Sequence, residues 1–110
     1  MTYKENLLVV AMEECAELAN AISMVLRFGF DEGGDNETAI HVEYHQLSAV
    51  MKMIEDEGII QPIDLSLSRS IKEDKEAKVK YYASVSKAFG RIEYKEKDTF
   101  ARWKKIITEG

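Results

Sequence analysis

Two short acidic motifs carry the side chains of this chain that are best suited to chemistry. Glu14 and Glu17 are three residues apart, as are Glu43 and Gln46 in the second motif. In a helix, residues i and i+3 lie on one face about a turn apart. If the helices that carry the motifs pack face to face, the oxygen atoms of these four side chains converge. Such clusters hold hard divalent cations, so the spacing predicts a site for Mg²⁺, with Mn²⁺ as a substitute.

The motifs and their flanking residues resemble a known protein family. The runs Glu13-Glu14-Cys15-Ala16-Glu17 and Leu26-Arg27-Phe28-Gly29, with Asn36-Glu37 ahead of Glu43, are similar to the small, phage-type, single-domain branch of the MazG-like nucleoside triphosphate pyrophosphohydrolases. The resemblance covers the first half of the chain well and residues 78–90 more loosely. It implies an all-α fold and Mg²⁺-dependent hydrolysis between the α and β phosphates of a nucleoside triphosphate, which releases the monophosphate and pyrophosphate.

The resemblance also implies roles for individual residues. Glu13, Glu14, Glu17 and Glu43 form the predicted catalytic set, and the last three together with Gln46 are the predicted metal ligands. Gln46 departs from the family pattern, which has an aspartate at this position. A glutamine carbonyl can ligate a cation, but it brings no negative charge and cannot act as a base. The departure predicts weaker metal binding.

Two other interpretations stay open, and Gln46 favours the first of them. In the first, the chain is a catalytically weak or inactive family member that binds nucleotide and acts as a sensor or regulator. In the second, the acidic pairs are solvated and an apolar helix face docks a partner helix, so that the protein has a structural role. Stabilisation by Mg²⁺ separates the enzyme and the nucleotide-binding member from the structural protein. Release of pyrophosphate then separates the enzyme from the sensor.

Candidate nucleotide-binding side chains lack a motif that would place them. Lys52 and Lys78 are candidates for contacting the triphosphate, and Trp103 for stacking on the base. The choice follows the resemblance, because late lysines and an aromatic residue often help to hold the nucleotide in that family. A core position for Trp103 fits the sequence equally well.

Two competing sites receive little support from the sequence. His41 and His45 share a helix face and could in principle bind zinc, but no further ligands accompany them. Cys15 has acidic neighbours rather than the positive surroundings that activate a thiolate. We expect Cys15 to pack in the core instead.

Composition limits the class of protein. A length of 110 residues predicts a single domain over residues 1–110 with one core. Fifteen basic and 20 acidic residues give a formal charge of −5, which argues against a broad nucleic-acid-binding surface. A single cysteine cannot form an internal disulfide, and no segment has the plan of a membrane span or a signal peptide. We therefore expect a cytoplasmic protein with neither a membrane nor a nucleic-acid partner.

Apolar periodicity and a single proline predict an all-α fold. We expect one helix over about residues 2–28 and a second over about 36–57. A third begins after Ser66 or Ser68 and runs to about residue 89, and a short fourth covers about 97–108. The expected architecture is a four-helix bundle.

Short polar residues and glycines predict where the helices begin and end. Asp35 or Asn36 is the expected N-cap of the second helix, because such side chains accept hydrogen bonds from the first free N–H groups. The glycines expected to end the three long helices are Gly29, Gly58 and Gly90.

The first helix is apolar on more than one face. Val9, Val10, Met12 and Met24 widen the stripe that its periodic apolar residues form. A helix of this kind lies either at the centre of a bundle or in a subunit interface. Together with the resemblance, this width predicts a homodimer or homotetramer.

Overall fold

The computed structural model describes residues 1–93, which form three α-helices and no β-strand. Helix α1 spans Tyr3–Phe28, α2 spans Asp35–Asp56 and α3 spans Leu65–Ala88. The all-α prediction is confirmed for these residues, whereas the predicted fourth helix lies outside them. Within residues 1–93, no helix combines the length and the apolar character that a membrane crossing requires.

Residues 1–62 form a compact unit in which α1 and α2 pack as an antiparallel hairpin. The chain direction reverses between the helices, because side chains near the start of α1 pack against the end of α2. Small and branched apolar side chains of both helices meet there, and Ile54 is only 2% exposed. The core cluster consists of Leu7, Ala11 and Ile54, with Val50 and Ile59 packed against it.

A Schellman motif ends α2 and ties its last turn to the core. Gly58 has a φ of 71°, a left-handed conformation that favours glycine. The N–H group of Ile59 donates a hydrogen bond to the carbonyl oxygen of Ile54 at 3.1 Å, and the Ile59 side chain packs against the core cluster. The prediction that Gly58 ends α2 is confirmed, and the motif fixes the turn that buries Ile54.

The N-terminus of α2 is capped by a residue from the preceding connection. Asp31 accepts hydrogen bonds from the N–H groups of Asn36 and Glu37 at 3.0 and 3.1 Å. Gly34 occupies the N-cap position, and a Cβ atom there would lie 2.7 Å from Asp31 Oδ2. The prediction that Asp35 or Asn36 provides the cap is therefore wrong, since the Asp31 carboxylate folds back and supplies the acceptor instead.

Residues 63–93 belong to a second compact unit, which contains α3. The Asp64 carboxylate accepts a hydrogen bond from the Leu67 N–H group at 2.7 Å and caps this helix. The predicted cap at Ser66 or Ser68 is wrong, because the helix begins one residue after Asp64. No residue of α3 is buried among the described residues.

Candidate metal centre

The antiparallel hairpin brings carboxylates of the two acidic motifs together. Glu14 and Glu17 lie on consecutive turns of α1, and Glu43 lies in the middle of α2. One oxygen atom from each carboxylate can be chosen so that all three lie within 4.8 Å of one another. Two ligands of one Mg²⁺ lie at most about 4.2 Å apart, twice the metal–oxygen distance. Small side-chain rotations therefore suffice to bring all three oxygen atoms onto one cation.

Two oxygen atoms of this group are buried without a partner. The Oε2 atoms of Glu14 and Glu43 are inaccessible to solvent and accept no hydrogen bond from the described residues. Neither carboxylate joins an ion pair within residues 1–93. A buried, unpaired carboxylate oxygen is costly, because it loses its water without gaining another partner. These two atoms are therefore suited to ligating a cation.

The environment of Glu43 opposes its ionisation. Its pKa is raised above the ordinary value of 4.5, first by burial and then by the nearby Glu17 carboxylate, which can accept a hydrogen bond from the protonated form and repels the ionised form. Repulsion from Glu14 raises this pKa further. A cation among the three carboxylates would oppose these effects, since an opposite charge favours the ionised form.

The other predicted metal and catalytic residues lie outside this group of three. Glu13 precedes Glu14 on α1 and is exposed. Gln46 is also exposed, one turn after Glu43 on α2. Their roles stay predictions, and the structure brings together only Glu14, Glu17 and Glu43 of the predicted acidic set, as judged over residues 1–93.

Of the predicted nucleotide-binding residues, Lys52 lies in the same compact unit as the carboxylates but does not face them. Lys52 is exposed and pairs with Asp56, and this hydrogen bond raises the pKa of Lys52. Lys52 follows Glu43 by nine residues, which places it on the opposite side of α2 at 3.6 residues per turn. Lys78 is an exposed residue of α3, in the second unit, and Trp103 lies outside the described residues.

A cavity of about 410 Å³ adjoins the carboxylates between α1 and α2. This volume falls in the range of small-molecule sites. The cavity was not predicted from the sequence, and neither was the position of Asn20 in its wall, although Asn20 follows Glu17 by about one helical turn. The cavity wall is formed by Ala16, Asn20, Ala21, Met24, Asn36 and Ala39, with Glu17 and Glu43 at one end.

The alternative histidine and thiol sites do not assemble. His41 Nε2 lies 3.8 Å from Glu37 Oε1, and His45 Nδ1 lies 2.7 Å from the carbonyl oxygen of His41. Neither ring joins a group of three potential ligands within residues 1–93. Cys15 is exposed. The expectation that Cys15 packs in the core is therefore wrong for the single chain.

Comparison with known proteins leaves the family open. No protein-family model, no curated protein and no solved structure matches this chain. The resemblance to the MazG-like pyrophosphohydrolases therefore depends on the two acidic motifs and their flanking residues, and membership of that family stays a prediction.

We expect Glu43→Gln to stabilise the metal-free protein at neutral pH. Because the folded-state pKa of Glu43 is raised, its contribution to the free energy of unfolding is fully present below pH 4.5 and is lost as the pH rises through the raised pKa. Thermal melts in EDTA should show a higher Tm for the variant at about pH 7.5 and little gain at about pH 4, close to the ordinary pKa of a glutamate.

The matched control for this experiment is Glu57→Gln, which removes an exposed carboxylate at the end of α2. Its effect on the Tm should be small at both pH values. If Glu43→Gln and Glu57→Gln gave the same pH dependence, the raised pKa of Glu43 would be refuted.

Proposed function

We propose that this chain is a divalent-cation-dependent nucleoside triphosphate pyrophosphohydrolase of the MazG-like type. The observation that carries the proposal is the convergence of Glu14, Glu17 and Glu43, with oxygen atoms within 4.8 Å of one another and two of the carboxylates holding a buried, unpartnered oxygen. A ligand set made of oxygen atoms alone, with three negative charges, suits Mg²⁺ or Mn²⁺. The resemblance implies the reaction, and the three carboxylates are suited to binding the cation that this reaction requires.

The cation, when bound, would neutralise the triphosphate and lower the pKa of a water molecule. The half-buried carboxylates of Glu14 and Glu43 are held between the helices, while Glu17 borders the open cavity. In the reaction, the oxygen of a water molecule bonds to the α-phosphorus. The bond between this phosphorus and the oxygen that bridges to the β-phosphorus breaks. The proton of the water passes to a carboxylate oxygen, and the products are the monophosphate and pyrophosphate.

Gln46 supports a second candidate function, which is nucleotide binding without hydrolysis. In the proposal, Gln46 is the fourth ligand and Glu13 an outer member of the acidic set. An amide in place of a carboxylate leaves the centre with less negative charge and with no base at that position. Lys52, Lys78 and Trp103 stay candidates for contacts with the nucleotide. A nucleotide that stabilises the protein without releasing pyrophosphate would favour this second function.

We also propose that the chain assembles as a homodimer or homotetramer and completes a helical bundle of at least four helices. Large apolar side chains of α1 support this, because Met12 and Leu26 are 73% and 76% exposed and Val9 is 37% exposed. Covering such side chains is favourable at about 25 cal/mol per Å² of apolar surface. A second subunit could provide that cover.

We expect Mg²⁺ to raise the Tm of the wild-type protein and to support pyrophosphate release from a nucleoside triphosphate. A cation that binds only the folded state contributes about 2.7 kcal/mol at 100 times its Kd. Glu17→Gln should abolish this stabilisation, because it removes a charged ligand, and should leave the metal-free protein equally or more stable. Thermal melts with Mg²⁺ and Mn²⁺, followed by a pyrophosphate assay over a panel of triphosphates, measure both effects.

Glu57→Gln again serves as the matched control and should keep the full response to Mg²⁺. An equal response to Mg²⁺ in wild type and Glu17→Gln would refute the metal centre. A normal response without pyrophosphate release from any triphosphate would refute the enzyme but not the centre.

We expect Gln46→Asp to tighten Mg²⁺ binding by roughly tenfold or more, the scale on which changes near a metal act. The substitution adds the negative charge that the glutamine lacks, and it should also raise the rate of pyrophosphate release. Gln46→Asn is the matched control, because it shortens the side chain in the same way without adding charge. Equal Mg²⁺ affinities of these two variants in calorimetry would show that the side chain of residue 46 does not interact with the cation.

We expect sedimentation equilibrium at micromolar concentration to show a dimer or larger species. Met12→Lys should shift the equilibrium towards the monomer, because it places a charge on the exposed apolar surface of α1. Asn6→Lys adds the same charge at an exposed polar position of α1 and should have little effect. A wild-type monomer under these conditions would overturn the proposed assembly.

A further inference from the structure

We propose that the cavity beside the carboxylates binds the nucleobase of the substrate, and that the side-chain amides of Asn20 and Asn36 recognise the edge of that base. The inference rests on the proposed function, because it assumes that the triphosphate is held at Glu14, Glu17 and Glu43. It adds the residues that would recognise the nucleobase of the substrate.

The course of the two helices defines a direction for the bound nucleotide. Glu17, Asn20 and Met24 follow one another along a single face of α1 and all line the cavity. From Glu17 to Met24 the helix rises by about 10.5 Å. Because α2 runs antiparallel, Asn36 lies beyond Glu43 in the same direction, towards the connection between the helices. A triphosphate held at the carboxylates would thus direct its sugar and base along the cavity towards the two amides.

The cavity wall offers hydrogen bonding without further charge. Apart from the carboxylates at its end, Asn20 and Asn36 provide the polar side chains of the wall among the described residues. Neither amide side chain has a hydrogen-bond partner within residues 1–93. The Asn20 carbonyl group accepts a hydrogen bond from Ser23, and the Asn36 N–H group donates one to Asp31, so both of these bonds use backbone atoms of the asparagines. An amide presents a donor beside an acceptor, which matches the pattern on the edge of a nucleobase. An uncharged heterocycle therefore suits this wall better than a second anion does.

Small apolar side chains make room for a planar ring. Ala16 and Ala21 on α1 and Ala39 on α2 line the cavity and leave its volume open. Met24 lies at the end of the α1 stripe, and its thioether can contact an aromatic ring favourably. The combination of apolar walls with a few placed polar groups is typical of small-molecule sites.

Binding measurements on nucleotides and on a base-free probe test the inference. The probes are non-hydrolysable α,β-methylene nucleoside triphosphates of each base and inorganic tripolyphosphate, titrated calorimetrically with Mg²⁺ into the full chain. We expect at least one nucleotide analogue to bind more tightly than tripolyphosphate. Asn20→Ala and Asn36→Ala should each weaken that analogue by roughly tenfold, the discrimination of one well-placed amide. The affinity for tripolyphosphate should not change.

Two matched controls separate the cavity from general effects on α1. Asn6→Ala removes an exposed amide of α1 away from the cavity and should leave all affinities unchanged. Ala16→Leu should fill the cavity and weaken the nucleotide analogue alone. Ala19→Leu, at an exposed position of the same helix outside the cavity wall, should not weaken it. Thermal melts verify that each variant is folded.

The outcomes distinguish this inference from the proposed function. Binding of Mg²⁺ and tripolyphosphate with no difference between analogue and probe, or with no effect of the two asparagine variants, would overturn the nucleobase site alone. Absence of Mg²⁺ binding by the wild-type protein would overturn the metal centre, and the nucleobase site with it.

Discussion

The packing of α1 against α2 holds three like charges close together, and the chemistry of the hairpin depends on this constraint. The apolar contacts of Ile54 with Leu7 and Ala11 set the register of the two helices. That register places Glu43 opposite Glu14 and Glu17, where one oxygen from each carboxylate lies within 4.8 Å of the others. Repulsion among these groups works against the hydrophobic packing that creates it. A cation bound among these groups, as proposed, would relieve this repulsion.

Much of the hairpin follows from short-range rules that the sequence displays. The apolar period predicts α1 and α2, and Gly58 predicts the end of α2 because few other residues adopt its left-handed conformation. The spacing of Glu14 and Glu17 places both on one face of α1. Convergence with Glu43 then requires that the short connection makes the helices antiparallel and that the core contacts set their register. The convergence of Glu14, Glu17 and Glu43 could therefore be predicted from the sequence.

Other features depend on geometry that no local rule specifies. The Asp31 carboxylate caps α2 from outside the helix, which depends on the path of the connection and on the absence of a Cβ atom at Gly34. The cavity depends on which small side chains of α1 face those of α2, and this follows from the register between the helices. Lys52 is a different case, because helical geometry alone places it on the side of α2 opposite Glu43. This placement could have been derived from the sequence, and the contact of Lys52 with the nucleotide stays a prediction.

Apart from Ala16, the residues of the cavity wall and the carboxylates beside it occupy different turns of the same two helices. Met24 and Ala39 can change in size without displacing the charged side chains, since exchange among good helix formers costs little in propensity. The hairpin therefore keeps side chains that can change in size apart from those that carry charge. Under the proposed function, single substitutions in the cavity could change which ligand binds while Glu14, Glu17 and Glu43 stay unchanged.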